Sequence, residues 1–237
     1  MSFDRPYRDR IARSNPALNA FMDLTEGSEE QGLCYGVKSN IAVKGLPWTA
    51  GIGAYRDRIA DADAEVIGRI RRDGGTILGT VNMHEAALGA TTDNEAFGRT
   101  MNPWRDGYTP GGSSGGSGAA VAAGLCDVAL GSDTMGSVRI PAAYCGVQGH
   151  KPSTGIVPNE GVVALSHTLD HVGPLARTVE MLWRSMHTLA DWGEVAPLEP
   201  ASLKGLRIGV WTGRGIVEMT SAVEAGFNAA VQAIADA

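Results

Sequence analysis

Cysteine is scarce in this chain. Cys34, Cys126 and Cys145 are the three in 237 residues, odd in number and widely spaced, which excludes a disulfide framework and predicts buried, reduced thiols in a cytoplasmic protein. Positive charge is short as well: 20 Lys and Arg against 26 Asp and Glu leave a net −6, so no basic face is expected for nucleic acid or an anionic membrane. No apolar run approaches the roughly 18 residues of a membrane span, and the opening MSFDRPYRDRIARSNPALNAF has no signal-peptide core. Nowhere does a Gly-Lys dipeptide occur, which excludes a P-loop, and the absence of Ser-x-x-Lys excludes the penicillin-binding type of serine enzyme. The histidines (His84, His150, His167, His171, His187) form no His-Glu-x-x-His and there is no Cys-x-x-Cys, so neither a metal nor another cofactor is expected. Aromatics stand at only 6% while Gly reaches 32, a balance that favours tight turns and close backbone packing.

What is present suffices for a core: 43% of the residues are hydrophobic, and residues 1–237 are read as a single domain. A short helix is expected over 5–14, stopped by Asn15-Pro16. CYGVKSNIAVKG alternates like a strand, with Val37, Ile41 and Val43 apolar. Val66, Ile67 and Ile70 share one helical face before Gly74-Gly75, and TILGTVN reads as a buried strand. GAAVAAGL then reads as a small-residue helix lying close on a sheet, followed by a strand over 127–131. Pro174 argues for a loop around His167 and His171. Thr178 caps a helix reaching Asp191, EVAPLEPASLKG is a linker, and LRIGVW (206–211) is a strand. A last helix from Glu218 turns Val223, Phe227, Val231 and Ile234 inward. Strands alternating with helices give an α/β fold.

The stretch TPGGSSGGSGAA (109–120) packs five glycines and three serines into twelve residues. A flexible linker is disfavoured because helix and strand patterns follow at once. A phosphate cradle lacks the dinucleotide spacing and an acidic partner. Gly112-Ser113-Ser114-Gly115-Gly116 formally fits the G-x-S-x-G elbow, but DGYTPG before it does not read as a strand. Asp170 and His171 are also adjacent, so they could hardly serve together as orienter and base, and His187 sits in a patterned helix.

Three blocks carry a resemblance: GVKSNIAVKGLPWTAG (36–51), NMHEAALGATTDNEAFGRTMNPWRDGYTPGGSSGGSGAAVAAGL (82–125) and ALGSDTMGSVRIPAAYCGVQGHKPSTGIVP (129–158). Together, and in this order, they resemble the amidase signature family over nearly the whole chain. The resemblance implies a mixed β-sheet core covered by helices on both faces. It also implies a Ser-cisSer-Lys triad of Lys38, Ser113 and Ser137, with the Gly112–Ser113 peptide cis. In that scheme Ser137 is the nucleophile, Ser113 relays its proton, and Lys38, neutral through burial, is the base. Backbone N–H groups of Thr134, Met135, Gly136 and Ser137 would form the oxyanion hole. Ser114, Asp133 and Arg139 are supporting residues, the last two bracing the turn.

The chain departs from the family's pattern at Met135, where a glycine is usual, and at Ser39, where an acidic residue is common. If site 135 required positive φ, methionine would be strained there. Relatives are usually longer, so the chain is expected to lack the C-terminal half of the fold. Apolar surface is then expected near residue 237, with a second chain or a homodimer to complete the fold. The implied activity is hydrolysis of a small-molecule carboxamide through an acyl-enzyme on Ser137. The alternatives are a glutamine-dependent amidotransferase A-type subunit working with partner chains, or an inactive truncated amidase.

Overall fold

The computed structural model describes residues 6–27, 30–199, 201–211 and 218–237. Its strands are β1 (Phe21–Leu24), β2 (Cys34–Lys38), β3 (Thr76–Val81), β4 (Asp93–Asn94), β5 (Gly98–Arg99), β6 (Val128–Asp133), β7 (Gln148–Gly149) and β8 (His171–Ala176). Its α-helices are α1 (Tyr7–Leu18), α2 (Glu65–Arg72), α3 (Gly115–Ala122), α4 (Arg139–Cys145), α5 (Val179–Ala190) and α6 (Ser221–Asp236). By their contacts these residues fall into two units, Met1–Ala196 and Pro197–Ala237.

In the first unit the main sheet runs β1-β3-β2-β6-β8-β7, and β4 pairs with β5 apart from it. The centre is parallel, β2 pairing with β3 and with β6, while β1, β8 and β7 join antiparallel. Every residue of β2 and of β6 is buried, as expected for strands covered on both faces. Period-two alternation then deals their side chains to two cores. Tyr35, Val37, Val128 and Leu130 pack with Val66, Ile67 and Ile70 of α2 and Met181, Met186 and Leu189 of α5. On the opposite face Cys34, Leu78 and Ala129 pack with Ile11 of α1, Ala119 to Val121 of α3 and Ala142 of α4. The structure is thus a mixed α/β sheet with helices on both faces.

Local chemistry sets the helix ends. Thr178 Oγ1 accepts from Met181 N at 3.2 Å and caps α5, which stops at Asp191 in the left-handed region. Glu65 pairs with Arg69 one turn on, and Arg69, Arg71 and Arg72 crowd the C-terminal turn of α2, where the helix dipole favours cations.

Several expectations are corrected. α1 does not stop at Pro16 but carries it in its last turn and ends at Asn19, whose N–H donates to Asn15 O. The Asn15 side chain takes over the termination, accepting from Ala20 N and Phe21 N. β2 ends at Lys38 rather than running on to Val43, because the chain turns there, Ile41 N donating to Lys38 O at 2.9 Å. Pro174 lies inside β8, not in a loop. Its carbonyl accepts from His150 N just past the two-residue ladder with β7, so its missing N–H faces the side where that ladder has ended.

In the second unit, Thr220 caps α6. Residues 206–211 form no strand, since no ladder partner among the described residues takes them up. Val223, Phe227 and Ile234 are exposed rather than inward. The segment from Leu203 to Trp211 and the α6 residues Phe227, Val231 and Ile234 border an apolar groove of about 640 Å³ instead of closing a core.

Two glycine-to-alanine substitutions test the packing. A Cβ on Gly116 would stand 2.3 Å from Asn82 O, so Gly116→Ala must push α3 off the sheet. It should lower stability in urea melts by about 1–3 kcal/mol. Gly68, exposed on α2 with nothing within 4 Å of its Cβ position, should instead gain about 0.5–1 kcal/mol as alanine.

Candidate active site

The parallel strands β2 and β6 end side by side, Lys38 closing the one and Ser132 and Asp133 the other. Carboxyl ends of parallel strands are where α/β proteins gather reactive groups. Lys38 is fully buried. Its Nζ donates to Ser113 Oγ at 2.7 Å, to Ser132 Oγ at 2.9 Å and to Ser132 O at 3.3 Å. Burial pushes its pKa down to about 7, against the opposing pull of Asp133 and Asp170. Near neutral pH the amine therefore has a substantial uncharged fraction able to take a proton.

Ser113 reaches this lysine from the glycine-rich loop, which is a fixed turn. The Gly112–Ser113 peptide is cis. A Cβ on Gly112 would lie 2.6 Å from Thr91 N, so only glycine admits that backbone approach. Thr92 Oγ1 donates to Gly111 O at 2.8 Å and accepts from Gly115 N at 3.0 Å, and Ser113 O accepts from His84 N at 3.0 Å. Ser114, at the head of α3, donates from its Oγ to Ser132 O at 3.3 Å and from its N–H to Ser137 O at 3.2 Å.

That last bond ties the loop to the turn between β6 and α4, where Ser137 is half-buried. The structure thus joins Lys38 and Ser113 directly and brings the backbone of Ser137 against Ser114. Among the described residues, no hydrogen bond engages Ser137 Oγ.

Asp133 organises the turn. Fully buried, it accepts from Gly136 N at 2.7 Å and Val138 N at 3.1 Å, and from Arg139 Nε and Nη2 at 3.0 and 2.9 Å. Burial alone would raise its pKa, but the Arg139 guanidinium and these N–H groups outweigh that and hold the carboxyl below its ordinary value. The Gly136 N–H, expected among the oxyanion donors, donates to Asp133 in this structure. The N–H groups of Thr134, Met135 and Ser137 donate to no described residue. Met135 does not adopt positive φ, which falls to Gly136 at 131°, so methionine brings no backbone strain. The residue is 85% exposed.

Three participants had no motif to announce them. Ser132 supplies two acceptors to Lys38. Asn40 Nδ2 donates to Ser132 Oγ at 3.0 Å. Asp170, weighed in the sequence only as an acid for an elbow, accepts from Thr134 Oγ1 and from Leu165 N and Ser166 N at 2.7 and 3.0 Å, holding the 165–170 loop beside the turn. The available signal was polarity at the end of an apolar strand, in Gly131-Ser132-Asp133.

Removing the Asp133 carboxylate should cost far more than removing its cation. Asp133→Ala orphans the Gly136 and Val138 N–H groups at about 1–3 kcal/mol each. Arg139→Ala loses a half-exposed partner worth about 1 kcal/mol or less. Urea melts of the two variants should rank in that order.

The Amidase family model matches residues 25–237. Among curated relatives, the A-type subunit of glutamyl-tRNA(Gln) amidotransferase from Natronomonas pharaonis is 51% identical over 68% of this chain and 40% of its own length. The protein of the same name from Saccharolobus solfataricus is 38% identical over 92% of this chain and 50% of its own length. The solved Thermotoga maritima counterpart, again of that name, superposes with a TM-score of 0.74 at 37% identity, over 77% of this chain and 42% of that one. 6-Aminohexanoate cyclic dimer hydrolase gives 0.72 at 33%, over 83% and 45%. The chain spans about half or less of the length of these relatives. With a family match over most of its residues and the sheet to go with it, the chain belongs to the amidase signature family.

Proposed function

We propose that this chain transfers the acyl group of a small-molecule carboxamide to Ser137, with Ser113 as relay and Lys38 as base. The observation that carries the reading is the buried Lys38 amine, hydrogen-bonded to Ser113 at 2.7 Å, with its pKa lowered to about 7. In the neutral state the Ser113 hydroxyl gives its proton to Lys38 Nζ while Ser137 Oγ gives its own to Ser113 Oγ. The Ser137 oxygen bonds to the amide carbon, and the N–H groups of Thr134, Met135 and Ser137 receive the oxyanion. The proton returns through Ser113 to the leaving nitrogen, the C–N bond breaks, ammonia or amine departs, and water hydrolyses the ester. Residues 1–237 are taken as part of one amidase-signature domain, in the cytoplasm, where its three buried cysteines, none in a disulfide, stay reduced.

The amidotransferase reading is favoured over a free-standing amidase. The first relatives, at 35–51% identity, are all named as A-type amidotransferase subunits, and such a name implies partner chains. In that reading the carboxamide is glutamine and the ammonia serves a partner enzyme.

A fluorophosphonate probe tests the chemistry. Labelling should be low in acid and rise with pH through about 7, because only the uncharged amine is a base. Ser137→Ala should abolish it, and Lys38→Ala should slow it by about 10²–10⁴-fold. Loss of labelling in Ser114→Ala with Ser137→Ala unaffected would restore the elbow serine instead. A folded but unlabelled wild type would point to an inactive chain. Ammonia released from glutamine but not from aliphatic, aryl or indole acetamides separates the amidotransferase reading from the general amidase.

A further inference from the structure

Lys38 must alternate between amine and ammonium in a site sealed from water, and the ammonium is the form that needs help. It carries three N–H bonds. The structure gives its Nζ three oxygens: Ser113 Oγ, Ser132 Oγ and Ser132 O. During the reaction Ser113 is occupied with proton relay, so the constant partners of the charged form are the two oxygens of Ser132. The backbone oxygen is fixed by β6. The hydroxyl can rotate, and something must hold its lone pair toward Lys38.

Asn40 is placed to do this. Its backbone turns sharply just after β2, its carbonyl is held by Trp48 Nε1 at 2.8 Å, and its side chain is buried. Nδ2 reaches Ser132 Oγ at 3.0 Å and Val163 O at 3.4 Å. A carbonyl only accepts, so Val163 O identifies the edge of the amide facing this side as nitrogen. The opposite edge, Asn40 Oδ1, is buried and finds no hydrogen-bond partner among the described residues. An amide that leaves one end unpaired inside a core is costly for stability alone, which turns attention to what its other end does.

Resting on the reading of the site given above, we propose that Asn40 is a positioning residue: it pins the Ser132 hydroxyl as a standing acceptor for the Lys38 ammonium that forms when the nucleophile is deprotonated. Asn40 touches neither substrate nor the reacting atoms in this scheme and acts through Ser132. The charged groups bearing on Lys38 are Asp133 at the end of β6 and Asp170 ahead of β8. Neither is hydrogen-bonded to Asn40, and the residues beside Lys38 on β3 (Thr80, Val81), Asn82 just after it, and the residues of α3 carry no charge.

The test is the pH dependence of fluorophosphonate labelling in the full chain. It compares wild type, Asn40→Ala, Ser132→Ala, Ser132→Thr, Ser132→Val and the double variant Asn40→Ala/Ser132→Ala. Loss of an aligned acceptor destabilises the ammonium, so in Asn40→Ala and Ser132→Ala the midpoint should move down by about one pH unit. The plateau rate should fall in both. Ser132→Thr, which keeps the hydroxyl, should hold the wild-type midpoint, while Ser132→Val, isosteric with the threonine variant but without the hydroxyl, should behave like alanine. The double variant should be no worse than Ser132→Ala, because Asn40 works only through that hydroxyl. Wild-type labelling that depends on Lys38, with midpoint and plateau unchanged in Asn40→Ala or with additive effects in the double variant, overturns the proposal alone. Labelling that is absent from wild type, or that survives Lys38→Ala, overturns the reading of the site and this proposal with it. A variant that does not label is replaced by Asn40→Ser at the same readout, where an unshifted midpoint counts against the proposal.

Discussion

An amine taken wholly out of water is the constraint around which this molecule is arranged. Desolvation disfavours the ammonium, and the neutral form is a base only where a hydroxyl proton can reach it. Both requirements are met by one placement at the end of β2. The sheet covers Lys38 on both sides, and the strand end opens it toward two loops that carry serines. Had β2 continued to Val43, the lysine would lie in mid-strand among ladder bonds. The turn at Ser39-Asn40 frees the end and delivers Asn40 to the same cluster.

The two loops are held by different means suited to their tasks. The 111–115 loop approaches neighbouring backbone so closely at Gly112 that a side chain is excluded there, and Thr92 and His84 pin its polar groups. The 134–138 turn is held from within by one carboxylate, Asp133, which collects N–H groups and a guanidinium. Committing Gly136 N–H to that carboxylate shapes the turn while leaving neighbouring N–H groups pointing at no described atom. Ser114 links the two loops, so a shift in either is felt by both.

Chemistry and selectivity are separable here. In the proposed reading the amine, the relay and the turn, all within the first unit, would serve an amidase and the amide-splitting half of an amidotransferase alike. What distinguishes glutamine from another carboxamide depends on walls around the acyl group. Met135 stands exposed at the turn.

Much of the sheet was legible because it is written locally. Apolar alternation gave β2, a short buried run gave β3, the stretch over 127–131 gave β6, the threefold apolar face gave α2, and Thr178 marked α5. The family resemblance, resting on long blocks rather than on one motif, named Lys38, Ser113 and Ser137. Errors fell where a local rule met a longer-range bond: Pro16 inside α1 because Asn15 supplies the stop, Pro174 inside β8 because the neighbouring ladder is short. The 206–211 segment has the alternation of a strand, but a strand needs a partner, and its own letters do not provide one. The sequence by itself determined the buried strands β2, β3 and β6 and the apolar face of α2, since these follow from periodicity within a few residues. Only the tertiary structure decided that Ser132, 94 positions from Lys38, and Asn40 belong to the lysine's surroundings and that Gly136 N–H is spent on Asp133. Those partners meet through strand pairing and turn geometry, and a hydrogen bond across such separations leaves no period in the chain to read.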